Sequence, residues 1–138
     1  MSIQRYWALV TELYRALDID AVPGMHQATR LRVDEVDFIL FYDGLPAPGS
    51  IVMHCVFGEL PTVLRERILL RLLETQSHLF GVCTPVFSCN AGRQDITLMC
   101  RYPLQHEALA EATLELLHFF AGMARRWRED HFLDADTP

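Results

Sequence analysis

The sequence contains no lysine, so all 12 of its basic residues are arginines. It lacks a run of about 18 apolar residues that would cross a membrane, and its start, MSIQRYWALV, lacks the charged end and apolar run of a signal peptide. The net charge of −6 and the pI near 5.4 argue against nucleic acid or an anionic membrane as a partner. These absences predict a cytoplasmic protein, and 138 residues suit a single domain.

The sequence has no CxxC pair among its four cysteines, Cys55, Cys83, Cys89 and Cys100. Three of them lie in or beside predicted strands, so we predict reduced side chains that act as small buried hydrophobes. His78 could join Cys83 and Cys89 in a cluster, but structural zinc sites have tighter paired spacing. The sequence therefore predicts neither a metal nor a cofactor.

Motifs for nucleotide binding, for serine hydrolases and for zinc proteases are also missing, since GxGxxG, GxxxxGK[ST], GxSxG and HExxH do not occur. The acidic cluster of Asp34, Glu35 and Asp37 most simply marks the entry to a strand and a solvated strand face. His54 is interpreted as a core or surface histidine. We therefore predict a binding protein and not an enzyme, with one alternative open: a small ligand-binding domain or enzyme whose site is not recognisable from sequence.

The most informative segment that is present is residues 60–79, LPTVLRERILLRLLETQSHL, which predicts a helix that begins near Pro61. Its apolar arc covers well over half of the helix circumference, more than one sheet face can bury. The arc comprises Val63, Leu64, Ile68, Leu69, Leu70, Leu72 and Leu73. The surplus predicts a homodimer through this central helix; the alternative is a fully buried central helix in a monomer.

The remaining periodicities predict an α+β fold. A helix is predicted over 3–17, with an aromatic stripe that suits core packing and leaves a cofactor pocket as an alternative. Strands follow from Thr29, with period two over 36–42 and 51–57, and a hairpin joins 84–89 to 94–102. Pro103 is predicted to open a last helix that runs to about Asp130. We expect an antiparallel twisted sheet with three helices, in the order helix, two or three strands, helix, two strands, helix. We also expect a single domain over 1–132, followed by an acidic flexible tail over 133–138.

This arrangement resembles the class I type III secretion chaperones, the Tir-chaperone (CesT-like) family. The resemblance covers about residues 3–132. It is carried by VDFILFYDG before IVMHCVFGELP, then RERILLRLLETQSHLFG, then PVFSCNAGRQDITLMCRYPL before the last helix. The resemblance implies a bacterial cytoplasmic homodimer without enzymatic activity. Such a protein holds the N-terminal segment of a secreted effector in a non-globular form and delivers it to the export apparatus, whose ATPase is a further candidate partner.

The resemblance also suggests site residues. The central helix and the strands after it would form the dimer interface, through Leu64, Ile68, Leu72, Val86, Phe87 and Leu98. The effector would contact the first helix and first strands, at Tyr6, Val10, Val36, Phe38, Leu40, Ile51 and Met53, unless these are ordinary core residues. Asp34, Asp37 and Asp43 could form a negative rim for a basic effector segment, or simply a solvated edge. A homodimeric α+β domain with another protein-binding or regulatory role is the main alternative function.

Overall fold

The structure, a computed structural model, describes residues 2–19, 28–42, 49–79, 84–90, 92–104 and 109–133. These described residues form three helices and five strands in the predicted α+β order, with three strands before the central helix. In chain order they are α1 (Ser2–Ala16), β1 (Ala28–Val33), β2 (Val36–Tyr42), β3 (Ser50–Glu59), α2 (Arg65–Gln76), β4 (Val86–Cys89), β5 (Asp95–Pro103) and α3 (Leu109–Asp130).

The strands form one antiparallel sheet with the spatial order β1-β2-β3-β5-β4. A two-residue turn, Asp34-Glu35, joins β1 to β2, and both residues have positive φ, at 50° and 70°. Positive φ at both positions gives a turn whose twist matches that of the flanking strands. The acidic pair therefore sits at a hairpin turn, in agreement with its interpretation as an entry to a strand.

One face of the sheet, which we call the core face, is covered by α1 and α3. The Cys55 thiol of β3 donates a hydrogen bond to the Phe120 carbonyl of α3 at 3.8 Å, and the rings of Phe57 and Trp127 lie 5.9 Å apart. From α1, the Tyr6 ring stacks on Tyr42 at 5.9 Å. The strand residues on this face are buried: Leu31, Val33, Val36, Phe38, Leu40, Ile51, Met53, Cys55, Phe57, Ile96, Leu98, Cys100 and Tyr102.

The α3 helix is also fastened to the sheet by Arg128, where a β-bulge interrupts β3 between Val56 and Gly58. The Arg128 guanidinium donates hydrogen bonds to the carbonyls of Val56, at 3.0 Å, and Phe57, at 2.6 Å. It also donates to the Glu35 carbonyl in the hairpin turn, at 3.2 Å. One side chain thereby bonds backbone carbonyls of both the bulge and the turn.

The central helix α2 is shorter than predicted. Thr62 to Leu64 form a turn, and Leu64 has left-handed φ and ψ, so the helix begins at Arg65 rather than near Pro61. Ile68 and Leu72 point into the protein core. The helix lies beside β4, the strand at one end of the sheet, where the Gln76 side-chain oxygen accepts a hydrogen bond of 2.7 Å from the Phe87 amide.

The prediction that Pro103 opens the last helix is wrong. Pro103 is the final residue of β5, paired with Ser50, and α3 begins at Leu109. A proline is tolerated at a strand end as well as in a first helical turn, so the residue alone did not identify the element. At the other end of α3, Leu133 packs against the core, and the rest of the predicted tail, 134–138, lies outside the described residues.

Candidate binding surfaces

The acidic residues singled out in the sequence occupy solvated positions. Asp37 pairs with Arg32 at 3.0 Å, with about two-thirds of each side chain exposed. Asp34 accepts a hydrogen bond from His118 Nδ1 at 2.8 Å, also at the surface. In the described part of the chain, no group of three or more His, Cys, Asp or Glu side chains is placed to hold a metal ion. Asp43 lies outside the described residues.

The cysteines only partly follow the prediction of burial. Cys55 and Cys100 are buried, and burial raises the pKa of the Cys55 thiol to about 12, so this thiol is an inert hydrophobe. Cys89 is exposed at the end of β4, which corrects its predicted burial. The strand pattern misled here because β4 is an edge strand of only four residues. Cys83 lies outside the described residues.

The seven residues predicted to contact an effector all lie in the core. Their exposed fractions are 0–3%, so none presents a surface to a bound segment in this conformation: Tyr6, Val10, Val36, Phe38, Leu40, Ile51 and Met53. Tyr6 illustrates the environment, because its hydroxyl bonds to Thr29 Oγ1 at 2.5 Å and donates to the Leu40 carbonyl at 3.2 Å. Burial raises the pKa of the Tyr6 hydroxyl. These positions fit the interpretation that they are ordinary core residues. Contact with an effector at these positions stays a prediction, and their burial does not favour it.

The opposite face of the same strands, which we call the outer face, is more accessible. Its central side chains are partly exposed and mostly apolar: Ile39, Phe41, Val52, His54, Val56 and Met99. His54 lies at its middle, paired across the strands with Ile39 and Met99, and its ring meets the Phe41 ring edge-on at 5.0 Å. Burial lowers the pKa of His54. This surface suits apolar contacts with an extended or helical partner.

The β1 strand lies at one end of the sheet, and within the described residues β2 is the one strand paired with it. Val33 and Val36 flank the two-residue turn and form the closing hydrogen-bonded pair, and bonded pairs alternate along an antiparallel ladder. The backbone N–H and C=O groups of Arg30 and Arg32 therefore point away from β2. Both residues carry exposed side chains on the outer face. This edge offers the groups that an added strand needs.

The predicted dimer residues divide into two sets. Ile68, Leu72 and Leu98 are only 1–2% exposed and belong to the core of the single chain, and Phe87 is partly buried against Phe57, with ring centroids 5.3 Å apart. Leu64 and Val86 are exposed, as are three residues of the apolar arc that were not placed at the interface: Val63, Leu70 and Leu73. We call Leu64, Leu70, Leu73 and Val86 the α2–β4 patch. The helical wheel indicated its existence but not which leucines would form it.

A cavity of about 390 Å³ that the sequence did not predict opens between α1 and the start of α3. Ala8, Leu9, Leu104, Leu109 and Ala110 give it apolar walls, and Arg5, Glu12 and Glu111 lie around it. It opens widely to solvent, unlike the enclosed pockets typical of small-molecule sites.

Among the helices that the structure describes, none combines the length and the apolar character that a membrane span needs.

Comparison with known proteins gives a match at the level of structure. No family model matches the chain, and a search of curated proteins finds no match. A chain of the ExoT–SpcS complex from Pseudomonas aeruginosa superposes with a TM-score of 0.59 and 20% identity, over 86% of this chain and 96% of that one. A chain of the HopA1–SchA chaperone–effector complex gives a TM-score of 0.62 and 17% identity, over 94% and 97%. The likeness is one of fold.

Proposed function

We propose that this protein is a type III secretion chaperone that binds the N-terminal segment of an effector and keeps it non-globular for export. The observation that carries the proposal is a shared fold. This chain superposes on a chain of the HopA1–SchA chaperone–effector complex over 94% of its own length and 97% of the other chain. The surfaces fit a binding role without catalysis, because they are open and apolar. The chaperone would then present the effector to the export apparatus and its ATPase.

We propose further that the chaperone acts as a homodimer joined through the α2–β4 patch. Leu70 and Leu73 are 60% and 62% exposed on successive turns of α2, and Val86 adds an exposed apolar side chain from the strand beside the helix. A monomer that leaves these side chains in water forgoes burial worth about 25 cal/mol per Å². Ile68 and Leu72, predicted at the interface, lie on the inward side of the same helix and fix its position.

The effector segment is proposed to bind at the β1 edge and on the outer face. The outward N–H and C=O groups of Arg30 and Arg32 can pair with an extended chain, which gives affinity with little dependence on sequence. Ordering a disordered segment costs conformational entropy, so additional apolar burial is needed to offset it. Ile39, Phe41 and Val52 supply that apolar surface on the two strands next to the edge.

The general proposal is tested by purifying the tagged protein from its native host, identifying retained chains by mass spectrometry and measuring the mass of the complex by light scattering. The expected result is two copies of this 15.9 kDa chain with one larger protein, retained through its N-terminal segment. A bare dimer from cells with an active secretion system would contradict the chaperone function and favour another protein-binding or regulatory role.

Edge pairing is tested with Arg32→Pro and its matched control Arg32→Thr. Both variants lose the ion pair with Asp37, but only proline removes the outward N–H. Proline is tolerated at this position of an edge strand because the missing N–H faces solvent and not β2. We expect Arg32→Pro to release the effector and Arg32→Thr to retain it, with both variants folded. Equal retention by the two variants would exclude pairing at this edge.

A further inference from the structure

The two arginines of the β1 edge differ in their partners. Arg32 forms an ion pair with Asp37 on the neighbouring strand, at 3.0 Å. Arg30 lies opposite Ile39 in the same ladder, and within the described residues its guanidinium has no hydrogen-bond or ion-pair partner. The edge therefore presents one uncompensated positive charge on the outer face.

We propose that Arg30 selects the bound segment: the extended strand that pairs with β1 carries an acidic side chain next to Arg30 on the outer face. This inference rests on the proposed function, because it specifies the chemistry of the segment that the chaperone binds. An acidic segment differs from the basic segment expected from a negative rim of Asp34, Asp37 and Asp43. Asp34 contacts His118 and Asp37 contacts Arg32, and Asp43 lies outside the described residues.

The geometry of an antiparallel strand pair supports this selection. A residue directly opposite Arg30 would project its side chain to the same face, with the two Cβ atoms about 5 Å apart. A carboxylate there reaches the Arg30 guanidinium directly. Residues of the added strand on either side of this position point to the other face, beside Leu31, where apolar side chains fit better.

The net charge of −6 is compatible with a local preference for an acidic side chain beside Arg30. Interactions between exposed charges are largely screened beyond about 8 Å at physiological ionic strength, and a directly opposite residue lies well within that distance. A second explanation for Arg30 is protection, because charged side chains on an edge strand discourage unwanted pairing. Protection alone predicts no preference for the charge of a bound strand.

The test uses a phage-displayed library of twelve-residue strands, rich in Val and Thr, with Glu, Gln or Lys varied at alternate positions. The library is selected against the wild type, Arg30→Glu, Arg30→Gln and Arg101→Glu. Arg101 lies on the same face but three strands from β1 and two residues along from the position level with Arg30, about 16 Å away. Arg101→Glu and Arg30→Glu change the net charge equally, so they separate a local effect from a global one.

We expect the wild type to enrich Glu over Lys about two- to fivefold at one position, as measured for cross-strand ion pairs. Arg30→Glu should reverse this preference, Arg30→Gln should abolish it, and Arg101→Glu should retain it. An unchanged preference in Arg30→Glu, or equal shifts in Arg30→Glu and Arg101→Glu, would overturn the role of Arg30 while leaving edge pairing intact. Selected strands that bind Arg32→Pro as well as they bind Arg32→Thr would overturn edge pairing itself, and this inference with it.

Discussion

The two edge strands of the sheet, β4 and β1, differ in how their outward backbone groups are covered. At β4 the edge is covered by α2, and the Phe87 amide that points outward is satisfied by the Gln76 side chain at 2.7 Å. At β1 the outward backbone groups of Arg30 and Arg32 face away from β2, and both residues carry exposed, charged side chains. One edge is closed by the fold itself, whereas the other has the form of an acceptor for an added strand.

This difference separates the two proposed interfaces. The closed edge carries the exposed leucines of α2, which suit a rigid contact between two folded copies. The open edge suits a chain without structure of its own, because main-chain pairing needs no preformed surface on the partner. Changes at the closed edge should therefore alter stability and dimerisation, and changes at the open edge should alter binding of the effector segment.

The largest effect is expected for Ile68→Asp, on the inward side of α2. Ile68 is 1% exposed, so the substitution buries an unpaired charge and should reduce the free energy of unfolding by about 4 kcal/mol or prevent folding. Chemical denaturation followed by circular dichroism measures this. A folded monomer of near wild-type stability would show that Ile68 serves the dimer and not the core.

A smaller effect on folding, but a large one on dimerisation, is expected for Leu73→Asp. Leu73 is exposed in the single chain, so the variant should fold, while a charge in the interface should weaken the dimer by more than about tenfold. Light scattering over a dilution series gives the dissociation constant. Arg67→Asp, which places the same carboxylate on the arginine-bearing side of α2, is the control. Equal weakening by both variants would contradict the assignment of the α2–β4 patch.

The covering of the closed edge is tested by Gln76→Ala. Loss of the side-chain oxygen leaves the Phe87 amide without its partner and should cost about 1–2 kcal/mol of stability. Gln76→Glu keeps an acceptor oxygen and should cost less, which makes it the matched control. The free energy of unfolding from urea titrations distinguishes the two. An equal loss in both variants would show that the hydrogen bond does not maintain this edge.

The smallest effect concerns His54 on the outer face. Burial lowers the pKa of His54 in the folded protein, so the unfolded chain binds this proton more readily. The stabilising contribution of neutral His54 is complete above the unfolded pKa of about 6.5 and is lost as pH falls through that value toward the folded pKa. The wild type should therefore lose more stability between pH 7.5 and pH 5.5 than His54→Gln. Identical losses would show that His54 is fully hydrated.

The element order could be predicted from periodicity, but the orientation of the elements could not. Alternation over 36–42 predicts a strand, yet Phe38 and Leu40 are as apolar as Ile39 and Phe41. A strand that is apolar on both sides does not reveal which side a helix covers. The sequence-based hypothesis placed the effector on the side of Phe38, and the structure places that side beneath α1 and α3.

The same ambiguity affected the central helix. When most of a helix surface is apolar, the wheel shows a surplus but does not identify the buried side. Leu72 is buried and its neighbour Leu73 is exposed, and which of the two is buried depends on how the helix packs in the fold. Arg30 could not be singled out from sequence either, because its lack of a partner among the described residues depends on which residues lie opposite it in the ladder.

The most direct test of the central claim is residue-resolved amide hydrogen exchange by NMR, on the protein alone and with the effector segment bound. If the segment adds to the open edge, the amides of Arg30 and Arg32 should become protected on binding, while the Phe87 amide, already bonded to Gln76, should change little. Unchanged exchange at Arg30 and Arg32 in a saturated complex would contradict the account.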